Sequence, residues 1–121
     1  VILNNDNWLR KKKGFVFMPE EERKEFIGHF KYVDRVVLTK HQPNDEDTSV
    51  NHALEELRPD IFANGGDRAK SNIPAPEIAV CDAIGCKMVF NVGKGGKVQS
   101  SSWLLENYKK LTGVPEKKRI S

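Results

Sequence analysis

The sequence predicts an α/β fold in which a parallel sheet is covered by helices on both faces. Three observations predict it. Short β-branched runs alternate with segments of helical periodicity. Those runs read as strands of the buried type, mostly apolar without a regular inward–outward alternation. Polar stretches follow the strands, whereas the connections that follow the helices ("KYVD", "RPD", "GC") are short and plain. Right-handed crossovers gather all strand-to-helix connections at the carboxyl edge of a parallel sheet, where such folds bind ligands.

The elements follow in order. "VILN" (1–4) reads as a strand and "NNDNWLRKKKG" (4–14) as the loop after it. "PEEERKEFIGHF" (19–30) is a helix with Pro19 at its first position and three glutamates where the helix dipole favours negative charge. Phe26, Ile27 and Phe30 give it an apolar face. "RVVL" (35–38) is the second strand. "DTSVNHALEEL" (47–57) offers Asp47, Thr48 or Ser49 as N-cap and ends at Arg58-Pro59. "IFAN" (61–64) is the third strand, and "APEIAVCDAIG" (75–85) is a helix with Pro76 near its start and Gly85 as its stop. After a fourth strand, "KMVFNV" (87–92), comes the last helix, "SWLLENYKKL" (102–111), with Trp103, Leu104, Tyr108 and Leu111 expected to face inward. Gly113 and Pro115 stop it, so residues 113–121 read as a tail to one domain spanning 1–112.

Composition narrows the function classes. At 121 residues, 38% hydrophobic and 31% charged, the chain fits one domain with a modest core. A net charge of +3, scattered among acidic residues, is too small to imply nucleic-acid binding but suits a small anion where a few lysines converge. Cys81 and Cys86, with four residues between them, form neither a metal hairpin nor a redox pair and read as buried thiols. No stretch approaches the roughly 20 apolar residues of a membrane span, and the expected location is cytoplasmic. His29, His41 and His52 have no metal-ligand spacing, so no metal site is expected from them.

Four polar stretches carry the candidate chemistry. In "GKGGKVQSSSW" the chain passes glycines and Lys94 and Lys97 before entering a helix at Ser100, Ser101 and Ser102. Hydroxyls and free N–H groups there make a phosphate cradle, although one serine of the three suffices as an ordinary cap. "NGGDR" (64–68) follows a strand, and Asn64, Gly65 and Gly66 let backbone approach a ligand while Asp67 accepts hydrogen bonds. The same residues also make a plain turn. Arg10, Lys11, Lys12 and Lys13 could neutralise a polyphosphate or form a solvated face, and Asp6 sits where doubly wound folds place ligand-contacting carboxylates. Arg23 stands alone on its helix, where pairing with a nearby glutamate is the simplest role.

Taken in order, "VILNND…KKKG…MPEEER…YVDRVV…LRPDIFANGGDR…GKVQSSSWLL" resembles the cytidylyltransferase-like nucleotidyltransferases. It is most similar to the branch that includes the sugar-phosphate adenylyltransferase domain of ADP-heptose synthesis and glycerol-3-phosphate cytidylyltransferase. The resemblance implies a Rossmann-like fold and transfer of a nucleotidyl group from ATP or CTP to a phosphorylated small molecule, with Mg²⁺ and release of pyrophosphate. It also implies roles. Asp6, Asn64, Gly65, Gly66, Asp67, Ser100, Ser101 and Ser102 would bind the nucleotide, and Lys11, Lys12, Lys13 and Arg23 would act on the phosphates. Dimers are usual in the family. The H-x-G-H motif of the family's first strand and helix does not occur in this sequence. The chain therefore reads as N-terminally incomplete, or as a non-catalytic nucleotide-binding module of the same fold.

Overall fold

In the computed structural model, which describes residues 1–66, 69–93 and 101–112, strand β1 (Ile2–Leu3) runs almost directly into a helix, α1 (Asp6–Lys13). A loop was expected there. The helix is built by its ends. Asn5 caps it, its side-chain oxygen accepting from Trp8 N at 3.1 Å. Gly14 closes it in the left-handed region at φ 88°, where only glycine sits without strain. Asp6 lies in the first turn and four cations in the last, so both ends complement the helix dipole.

The chain divides into two compact units, residues 1–57 and 58–120. In the first, β1 pairs in parallel with β2 (Val37–Leu38), with Ile2 opposite Val37 and Leu3 opposite Leu38. Bonds from Val37 N to Val1 O and from Thr39 N to Leu3 O, both 2.9 Å, extend the ladder by one residue at each end. Helix α2 (Glu20–Gly28) lies against β2, and α3 (Asn51–Leu57) carries the deepest side chain of the unit, Leu54. Phe15, Ala53 and Leu54 are its buried apolar residues. Of the apolar face expected on α2, Ile27 is half-buried, whereas Phe26 and Phe30 are 58% and 51% exposed and pack edge to face on each other. Helix α3 starts later than its cap candidates suggested, because Asp47 turns onto Ser49 N at 2.9 Å and so closes a turn upstream of the helix.

In the second unit β3 (Ile61–Gly65) pairs in parallel with β4 (Lys87–Val92). Ile61, Phe62 and Ala63 face Lys87, Met88 and Val89; Gly65 then faces Val92, so β4 carries one extra residue. Asn91 absorbs this bulge at φ 56°. Helix α4 (Ala75–Ile84) ends at Gly85, φ 72°, and the Gly85 and Cys86 N–H groups both reach Cys81 O. This left-handed turn brings the two cysteines together at the helix end, and Ile73, Cys81 and Cys86 are the buried apolar residues there. Helix α5 (Ser101–Thr112) leaves Tyr108 and Leu111 at 50% and 87% exposure, where both were expected inside.

The mixture of helices with parallel strands is as expected. The strands pair two and two, however, not as one sheet among the described residues. No described helix is long and apolar enough to cross a membrane. Because the Asn5 cap starts α1 so close to β1, Asn5→Ala is expected to cost about 1–2 kcal/mol. Chemical denaturation followed by Trp8 fluorescence would measure it, and a change below about 0.3 kcal/mol would mean that the cap is idle.

Candidate functional site

In each unit the carboxyl ends of the parallel strands collect the polar residues, as the short apolar strands require. At the end of β1 stand Asn4, Asn5 and Asp6. Arg23, half-buried on α2, reaches this strand end with its whole guanidinium. Its Nη2 donates to Asp6 Oδ1 at 2.7 Å, Nη1 to Asn4 O at 2.6 Å and Nε to Met18 O at 2.8 Å. The Asp6 and Arg23 side chains are only 16% and 15% exposed. Thus two residues singled out separately in the sequence meet in one ion pair, and the partner of Arg23 is not a glutamate of its own helix. Glu20 completes the cluster by accepting from Asp6 N at 3.1 Å. Asn4 Oδ1, at the same strand end, is buried with no hydrogen-bond partner in the structure.

Lys11, Lys12 and Lys13 sit in the last turn of α1, not in a loop. Lys11 Nζ donates to Asn44 O at 3.4 Å, and Lys12 Nζ lies 6.0 Å from the Trp8 ring centroid, at the outer limit of a cation–π contact. Lys11 and Lys12 are exposed and Lys13 is half-buried. The negative end of the α1 dipole favours these charges, which gives their clustering a structural cause independent of any ligand.

The end of β2 is closed by a buried polar hub that the sequence did not reveal. Thr39 and His41 are 6% and 7% exposed. Asn5 N donates to Thr39 Oγ1 at 3.0 Å, and His41 bridges Thr39 Oγ1 and Ser49 O through its two ring nitrogens, each at 2.8 Å. The His41 carbonyl accepts from the side-chain amides of Asn5 and Asn7 at 3.0 and 2.9 Å. Trp8 Nε1 donates to Thr48 O at 2.9 Å, tying α1 to the same segment. Beside the hub, a cavity of about 250 Å³ is lined by Lys40, Asp45, His52 and Glu56 among others. Backbone N–H groups of Gln42 and Asp47 hold the Asp45 carboxyl below the usual carboxylate range, and the hydroxyl and N–H of Ser49 do the same for Asp47.

In the second unit Asn64, 8% exposed, and Gly65 end β3, and Gly66 follows in the turn. Among the described residues, a Cβ at Gly65 would meet nothing within 4 Å. Asp67, Lys94, Lys97 and Ser100 lie outside the described residues. Ser101 and Ser102 begin α5, and their side chains lie outside the description as well. Burial pushes the Cys81 thiol up to about 11, with the neighbouring Cys86 adding to the effect. Both thiols are buried and unbridged, as the sequence suggested.

Chemically, the first unit presents a neutralised carboxylate at a strand end and a nearby helix ending in cations. Among the described residues no group of three His, Cys, Asp or Glu side chains could hold a metal ion. No protein-family model matches the chain, and no curated protein matches it either.

Proposed function

We propose that the chain is a nucleotidyltransferase with a Rossmann-like fold, transferring a nucleotidyl group from ATP or CTP to a phosphorylated acceptor such as a sugar phosphate or glycerol phosphate, with release of pyrophosphate. One observation carries the reading. Asp6 stands at the carboxyl end of a parallel strand with its carboxylate held by Arg23 at 2.7 Å, the position from which α/β folds contact ligands. The unpartnered Asn4 Oδ1 at the same strand end supports it. So does the parallel pairing in both units. Phosphoryl-type transfer asks for alignment and charge neutralisation more than for a nucleophilic side chain. The cations of Lys11–Lys13 and the hydroxyls of Ser100–Ser102 are residues of that kind.

Arg23 has a narrower part in this proposal than the resemblance gives it. Three of its five N–H donors are used within the chain, so it fixes Asp6 and the strand end first and offers a phosphate only what is left. The second reading is binding without catalysis, motivated by the absence of an H-x-G-H sequence in these 121 residues.

Titration calorimetry of the full chain with ATP and with CTP, each with Mg²⁺, tests both readings. Binding of one of the two is expected. The triple change Lys11→Ala, Lys12→Ala, Lys13→Ala and the single change Ser101→Ala are each expected to weaken it about tenfold, close to 1.4 kcal/mol. No binding of either triphosphate would end both readings. Pyrophosphate release in the presence of phosphorylated acceptors would select the enzyme, and its absence despite binding would select the binding module.

A further inference from the structure

Cys81 and Cys86 stand five positions apart, and in an uninterrupted helix such residues point about 140° apart around the axis. Spacing alone therefore separates the two thiols. Gly85 reverses that. Its left-handed conformation, φ 72°, ends α4 and sends the chain back, so that the Cys86 N–H reaches Cys81 O at 2.9 Å. The Cys81 thiol is hydrogen-bonded to Cys86, and the Cys86 sulfur lies 3.9 Å from Lys87 O. The two residues are 1% and 8% exposed, and both carry free thiols.

Two sulfurs in hydrogen-bond contact, on backbone that already touches, can be joined by turning side chains without parting the helix from the strand. We propose that Cys81 and Cys86 are a reversible dithiol–disulfide site that fastens the end of α4 to the start of β4. The spacing in the sequence does not announce a redox pair; the turn at Gly85 makes one.

The oxidant is a small-molecule disulfide such as oxidised glutathione. Cys86, the less buried of the pair, meets it first. Its thiolate bonds to one glutathione sulfur, and the other glutathione leaves as a thiolate. The Cys81 sulfur then gives up its proton, bonds to the Cys86 sulfur and expels the second glutathione. The chain loses two electrons and two protons, and both protons end on the two glutathione thiols. Cys81 suits the closing step and not the first, because burial, then the bond to Cys86 and the charges of Glu77 and Asp82, hold its proton in place. The site lies at the amino end of β4, whereas Asn64 and Gly65 lie at the carboxyl end of β3, its parallel partner. The inference therefore stands apart from nucleotide binding, and the two fail separately.

The full chain, equilibrated with oxidised and reduced glutathione both natively and in guanidinium chloride, is quenched with acid and its intact mass measured. The native chain is expected to lose two hydrogens within a single chain. Its equilibrium constant for closure should be about tenfold or more above that of the denatured chain, where the ring of residues 81–86 closes by chance. Cys81→Ser should instead hold one glutathione on Cys86. Equal constants in the two solvents would overturn the proposal on the unaltered chain, whether or not the variant folds, because the fold would contribute nothing to the bond. So would a glutathione adduct as the end state of the native chain, or a disulfide between two chains.

Discussion

Arg23→Ala is expected to destabilise the chain by about 2–4 kcal/mol, read by chemical denaturation with Trp8 fluorescence in a Trp103→Phe background. The three bonds of the guanidinium join Asp6 of α1, Asn4 at the end of β1 and Met18 in the connection before α2. Truncation leaves a carboxylate and two carbonyls short of a donor at once. Breaking a fully buried pair costs about 3–5 kcal/mol, and partial hydration at 15–16% side-chain exposure brings the figure down. Arg23→Lys should recover only part of the loss, because an ammonium is a point charge that cannot bond three diverging acceptors as a planar fork does. A loss below about 0.5 kcal/mol would mean that the three bonds are not made together, and the strand-end carboxylate would then lack its fixed position.

Leu54→Ala is expected to cost about 3 kcal/mol or more, within the roughly 2–5 kcal/mol range of buried leucine truncations. Leu54 is 0% exposed, and only Phe15 and Ala53 share its depth among the apolar residues of its unit. A unit of 57 residues has few such side chains, so the cavity left behind cannot be spread over a large core. Leu57, half-buried one turn later, is the internal comparison: its truncation should cost clearly less. Equal losses at the two positions in the same assay would show that the unit has no packed centre.

Legibility in the sequence followed how local each cause is. Helix α4 and strand β4 were readable almost to the residue, because Pro76 opens and Gly85 stops the helix through backbone preferences that need no partner. Helix α1 is marked at its ends by Asn5, Asp6, the terminal cations and Gly14, but lacks an apolar stripe. With apolar periodicity given first rank, Trp8 and Leu9 among charges looked like a loop. The exposed Leu111 and Tyr108 erred in the other direction, because periodicity cannot say whether a partner surface exists for an apolar stripe. At the candidate site, Asp6 and Arg23 could each be named from the sequence, but their pairing across 17 residues could not. The place of His41 in the hub is hidden for the same reason. Nothing beside it in the chain marks it, and its importance comes from topology that brings residues 5, 39 and 49 to one ring.

The end of helix α4 makes the second unit its own reporter. Gly85 turns the chain so that Cys86 folds back onto Cys81, and both residues are buried, at 8% and 1% exposure. With the Cys81 thiol pushed up to about 11, hardly any of it is thiolate at neutral pH. An alkylating reagent is therefore expected to reach the Cys81 sulfur when the helix end peels away from its strand. The labelling rate becomes a clock for that opening, in a chain that contains no other cysteine, while Trp8 keeps separate time in the first unit.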